Sequence, residues 1–117
     1  MNAYDALDQL ATECRTNAEA KGWKNDGKPM VQVASEFSAN VHGEVSEYWE
    51  AYRRGTLFEQ CDKATDGSLT CEEEELADII IRTLDYAGKR GVNIGRAVRV
   101  KLAYNQTRAE RHGGKLA

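Results

Sequence analysis

Proline occurs once in 117 residues, at Pro29. Inside a helix it would remove a backbone donor and clash with the preceding turn, so its near absence leaves room for long uninterrupted helices. Glycine supplies the punctuation. Gly22, Gly55 and Gly91 each follow a stretch of helical periodicity, where a residue free to take left-handed dihedrals ends a helix. Apolar residues recurring at spacings of three and four predict helices over residues 3–21, 30–54, 71–90 and 94–110. The expected fold is an all-α, four-helix-type bundle in a single domain, 1–117, with a connecting loop over 56–70 and a flexible tail over 111–117. A chain of this length suffices for one core.

Each predicted helix carries an apolar stripe. In the first it is Leu7, Leu10, Ala11, Cys14 and Ala18, and in the second Phe37, Val41, Val45, Tyr48 and Tyr52. Trp49 falls off the second stripe and is available to another helix or to a second subunit. Leu76, Ala77, Ile79, Ile80, Leu84 and Ala87 cover about half the circumference of the third helix, which is expected to be central and the most buried. Glu75, Asp78, Arg82 and Asp85 share its opposite strip. Ile94, Ala97, Val98 and Leu102 make the apolar face of the fourth. Trp23, after the first helix, reads as a plug over the end of the bundle or, less readily, as a surface for a nucleobase.

Two acid pairs stand out. Glu44 and Glu47 on the second helix, and Glu75 and Asp78 on the third, are each three residues apart, about 60° around a helix. If the helices lie side by side, four carboxylates converge and repel one another unless a cation neutralises them. Oxygen-only ligands suit a hard cation, Mg²⁺ or Mn²⁺, and Mg²⁺ commonly works together with substrate phosphates. Either pair alone is weak evidence, because such spacing is common on solvated helix faces. Glu72 to Glu74 read as charges complementing the helix dipole. Asp85 is either a further ligand or a partner of Arg82. Lys101, Asn105 and Arg108, joined by Tyr104, form a row on the fourth helix that is either a solvated edge or a set of phosphate donors. The tail His112-Gly113-Gly114-Lys115 either frays or closes over bound phosphate.

Composition excludes several classes. Net charge is −3 with no strongly basic block, which makes duplex nucleic acid a poor partner. No apolar run approaches the roughly 20 residues of a membrane span, and the first ten residues lack the basic and apolar regions of a signal peptide. Three cysteines without CxxC spacing suggest free thiols in a reducing, cytoplasmic compartment, with a Cys61–Cys71 bridge the less favoured option. Residues 62–73 match much of a calcium EF-hand loop, with Asp62, Asp66, Gly67 and Glu73 at the right places. Ala64, however, stands where a side-chain oxygen is needed. Thr70 and Glu73 explain the same letters as a capping box. A di-iron bundle would pair its glutamates with Glu-x-x-His, and neither His42 nor His112 has a Glu three positions before it.

The succession of ExxE at Glu44 and Glu47, then ExxD at Glu75 and Asp78, resembles the MazG-like, all-α NTP pyrophosphatase superfamily. The stretch from Glu74 to Arg82 looks like that family's metal-binding helix. Lys101, Tyr104, Asn105 and Arg108, with the closing His112-Gly113-Gly114-Lys115, are similar to the end of small bacterial and phage members. The resemblance covers roughly residues 41–115, and the loop 56–70 departs from it. It implies a homodimer or homotetramer with sites near subunit contacts, hydrolysing a nucleoside triphosphate to monophosphate and pyrophosphate with Mg²⁺. On that resemblance Glu44, Glu47, Glu75 and Asp78 hold the metal, with Glu47 the preferred general base. Lys101, Tyr104, Asn105, Arg108 and Lys115 bind substrate, and Tyr48, Trp49 or Trp23 stacks on the base. A calcium-responsive module and a catalytically silent helical adaptor are the competing expectations.

Overall fold

The computed structural model describes residues 1–24, 27–63 and 67–117. It is all-helical: α1 (Ala3–Ala20), α2 (Met30–Arg53), α3 (Cys71–Arg90), α4 (Ile94–Gln106) and a short α5 (Arg111–Gly114). Among the described residues the only extended pairing is an isolated antiparallel bridge between Gln60 and Thr70. Helix ends follow local chemistry. The Asn2 and Asn93 side chains accept from the amides of Asp5 and Arg96, satisfying donors that the first turns of α1 and α4 cannot use. Thr70 and Glu73 form a complete capping box at the start of α3, and Gly91 closes it with a left-handed φ of 69°.

The fourth helix is shorter than expected, stopping at Gln106 rather than near residue 110. The amides of Thr107 and Arg108 bond to carbonyls three residues back, and the Thr107 hydroxyl donates to the Tyr104 carbonyl at 2.7 Å. This tightened turn, followed by positive φ at Arg111 and His112, ends the α-helical ladder.

α3 packs against both α1 and α2, and α4 packs against α1. Both α3 contacts are antiparallel. Phe37 stacks on Tyr86, Glu44 meets Arg82 and Tyr48 bonds Glu72, while Arg15 of α1 meets Asp85. Two glycines permit the close approaches. A Cβ on Gly88 would lie 2.9 Å from Arg15 Cβ. One on Gly95 would collide with the Tyr4 carbonyl, where the Gly95 amide donates to Asp8 Oδ1 at 2.8 Å. Gly95→Ala is therefore expected to cost about 1–3 kcal/mol by forcing α4 off α1. A denaturant titration showing parental stability would refute that contact.

α3 is central, as expected, but its faces are not disposed as the periodicity suggested. The strip of Glu75, Asp78 and Asp85 turns inward toward α1 and α2, and Leu76 and Ile80 on the apolar stripe remain 47% and 52% exposed. Only Leu84 and Ala87 of that stripe are buried. On α2, Val45 and Tyr52 are likewise exposed, and Glu44 is buried instead. The core among described residues is small: Ala11, Val33, Leu57, Cys61, Leu84 and Ala87. A 13.0 kDa chain folded alone exposes roughly 6300 Å², with a radius of gyration of about 13 Å. This chain exposes 8696 Å² with a radius of 16.6 Å.

Candidate metal centre

The site lies where the C-terminal half of α2 runs antiparallel to the first half of α3. Both helices are unbroken there, so the three-residue spacing of each acid pair becomes a shared face. Glu44, Glu47, Glu75 and Asp78 each bring a carboxylate oxygen to within 4.8 Å of the others. The four residues proposed from the sequence as ligands are thus brought together. Glu44 and Glu75 are buried, Asp78 is half-buried and Glu47 is exposed.

The electrostatics are unfavourable without a cation. Glu44 Oε1 accepts from Arg82 Nε at 2.9 Å, but Oε2 is buried with no hydrogen-bond partner. Glu75 Oε2 is in the same condition. A buried carboxylate oxygen without a donor carries its full desolvation cost. Burial, followed by the charges of Glu47, Glu74 and Asp78 and a hydrogen bond with Glu47, pushes the Glu75 carboxyl up to about 7. Asp78 is raised too, by burial first and then by Glu44, Glu74 and Glu47, with Lys63 pulling the other way. The donor set is all oxygen and strongly anionic, and it holds two orphaned buried oxygens. These residues fit a hard divalent cation.

The acids border a cleft of about 1050 Å³ between α1, α2 and α3. Glu44, Glu47, Asp78, Arg82 and Lys63 line it, and so do Trp23 and the stacked pair Phe37 and Tyr86. The ring centroids of that pair are 4.1 Å apart, two turns along α2 from Glu44. Trp23 is 71% exposed, and Arg15 donates to its backbone carbonyl. It forms a wall of the cleft and does not plug the bundle.

Other expected residues lie elsewhere. No residue of α4 or the tail lines this cleft among the described residues. Lys101 and Asn105 instead border a shallow hollow of about 300 Å³ with Ala97, Val98 and Leu102. Lys101 and Arg108 flank the Tyr104 ring, with Lys101 Nζ 4.8 Å and Arg108 Cζ 5.7 Å from its centroid. Lys115 caps the exposed α5 turn. Asp85 pairs with Arg15 at 3.1 Å, and Arg82 pairs with Glu44, so Asp85 is not Arg82's partner. Trp49 stacks on Tyr52 at 5.2 Å on the outer surface, and the Tyr48 hydroxyl donates to Glu72 at 2.8 Å. Ala64 and Asp66 of the EF-hand-like segment lie outside the described residues. Its last acid, Glu73, is committed to Thr70. Cys14, Cys61 and Cys71 are free thiols.

Sequence reasoning missed Glu74 and Lys63. Glu74 looks like a dipole complement, yet its side chain is only 13% exposed and pairs with Lys63 at 3.5 Å. Its charge also raises both Glu75 and Asp78. Its place directly before Glu75 was the only available signal. Lys63 carried none, because it reaches the acids through a loop. No family model, curated protein or solved structure matches the chain.

Proposed function

We propose that this protein is a Mg²⁺-dependent nucleoside triphosphate pyrophosphohydrolase, releasing a nucleoside monophosphate and pyrophosphate. The observation carrying this reading is the pair of buried, partnerless oxygens on Glu44 and Glu75 within a four-carboxylate cluster. The adjoining cleft supports it by offering both aromatic and cationic walls to a nucleotide. Glu44, Glu47, Glu75 and Asp78 would hold Mg²⁺, with Mn²⁺ as a substitute. A bound ion of this kind screens phosphate oxygens and lowers the pKa of water.

The chain's own residues then divide the work. Glu47, the exposed member of the cluster, takes the proton from the attacking water. The new bond forms from water oxygen to the α-phosphorus, and the bond from that phosphorus to the α–β bridging oxygen breaks, expelling pyrophosphate. Trp23 presents an aromatic face to the base. A panel of nucleoside triphosphates with Mg²⁺, scored for pyrophosphate, tests the reading. Turnover of at least one with equal yields of monophosphate and pyrophosphate is expected. Release of orthophosphate alone, or no turnover across the panel, would end it.

The functional unit in this reading is a homodimer or homotetramer. The surface excess described above, about 2400 Å² per chain, exceeds the roughly 800 Å² each partner contributes to a standard interface. Leu76, Ile80, Val98 and Leu102 are among the exposed apolar side chains a second copy would cover. The row of Lys101, Tyr104, Asn105 and Arg108 meets substrate only across such a contact. Ile80→Asp is expected to convert the oligomer to monomer in light scattering at micromolar concentration. A parent that is already monomeric and active would overturn the assembly. Among the described residues no helix is long and apolar enough to cross a membrane, and the proposed setting, with its three free thiols, is the cytoplasm.

A further inference from the structure

We infer that Lys63 and Arg82 form the phosphate-binding wall of the cleft, holding the substrate's polyphosphate chain against the carboxylate cluster. The inference rests on the reading of that cluster as a metal centre. A polyphosphate carries several negative charges, and one divalent cation does not offset four carboxylates and the phosphates together. Further cations must border the cluster, and the row on α4 does not do so within the chain. Lys21, Lys24, Lys28 and Lys89 also line the cleft, Lys28 paired with Glu36 at 3.2 Å, but it is Arg82 and Lys63 that interact with the cluster's own carboxylates.

Lys63 and Arg82 are placed differently. The Glu44 carboxylate holds Arg82 through Nε, which leaves the paired terminal nitrogens for a second, bidentate acceptor. The Arg82 side chain is 48% exposed, so a ligand entering the cleft can reach it. Lys63 is held by one ion pair of 3.5 Å to Glu74, and 73% of its side chain is open to solvent. It lines the same cleft as Glu44, Glu47 and Asp78, and its charge acts on Glu47, Glu75 and Asp78. Its loop is anchored at the root. Cys61 N donates to Leu69 O at 2.7 Å, Cys71 N to Glu59 O at 2.9 Å and Glu72 N to Leu57 O at 2.8 Å. Two residues beyond the buried Cys61, the lysine is thereby kept beside the start of α3.

An ammonium in this position opposes a metal ion and attracts a phosphate, so its removal moves two affinities in opposite directions. In Lys63→Ala, Mn²⁺ binding to the free protein, followed by calorimetry, is expected to tighten about twofold to fivefold as a like charge is withdrawn. Binding of inorganic tripolyphosphate in Mg²⁺ is expected to weaken about tenfold, with KM for a turned-over nucleotide rising more than kcat falls. Lys63→Arg should restore tripolyphosphate binding. Arg82→Lys, which keeps the charge and loses the fork, should weaken it by about threefold to tenfold. Tripolyphosphate affinity within twofold of the parent in Lys63→Ala overturns the inference, and so does weaker Mn²⁺ binding, which marks a collapsed loop. A parent that binds no Mn²⁺, or an Asp78→Asn variant that binds it as tightly, overturns the metal centre itself and the inference with it.

Discussion

Glu47→Gln and Asp78→Asn are each expected to reduce pyrophosphate release in Mg²⁺ by roughly two orders of magnitude or more, the scale of losing a group that acts on the transition state. Each amide preserves shape and removes one charge from a cluster whose donor atoms lie within 4.8 Å of one another. Neither side chain is fully buried, so circular dichroism of both variants should match the parent. In Glu47→Gln the loss should fall mainly on kcat if Glu47 accepts the proton. In Asp78→Asn it should be partly recovered by raising Mg²⁺, as a weakened ligand allows. Full activity in both variants would remove the metal-centre reading.

The metal-free protein is expected to lose stability as pH rises from about 4.5 to 7, against the ordinary behaviour of carboxylates paired with cations. The Glu75 carboxyl, normally near 4.5, titrates at about 7 in the fold. Between those values the native state keeps a proton that the unfolded chain gives up. Folding is therefore favoured below the window, and the benefit disappears as pH rises through 7. The gap corresponds to at most roughly 3 kcal/mol, or several degrees in melting temperature. Asp78 and Asp85 are raised as well and act in the same direction. Glu75→Gln should flatten the slope and raise the melting temperature at pH 8. Mg²⁺ should stabilise the parent more at pH 8 than at pH 5.5, because only deprotonated carboxylates bind it. Melting curves of the parent and Glu75→Gln, with and without Mg²⁺, measure all of this. A metal-free parent that grows more stable toward pH 8 would contradict the buried acid pair.

Much of the site was legible because its acids are local pairs. Three-residue spacing on an unbroken helix puts Glu44 with Glu47 and Glu75 with Asp78 whatever the rest of the chain does. The orientation of α3 was not legible. Periodicity tells which residues share a face but not which face meets a neighbour, and here Glu75 and Asp78 turn inward with Leu76 and Ile80 half-exposed. The usual inference from apolarity to burial assumes that the core lies within one chain. Arg82 and Asp85 could not be assigned for a similar reason. They share a strip, but α2 supplies Glu44 to one and α1 supplies Arg15 to the other.

The sequence by itself determined the helices, the ends of the first three and the acid pairs. These depend on hydrogen bonds, caps and side-chain spacing within a few residues, as at Asn2, Thr70 with Glu73, and Gly91. Only the tertiary structure decided that the two pairs converge, that Glu44 and Glu75 keep buried oxygens without partners, and that Lys63 lines their cleft while Lys101 does not. Those outcomes depend on the rotation and register of one helix against another. Contacts between residues far apart in the chain set both, such as Gly88 under Arg15, Gly95 against Tyr4 and Phe37 on Tyr86. No local pattern encodes such contacts, because their energy exists only once both partners are in place.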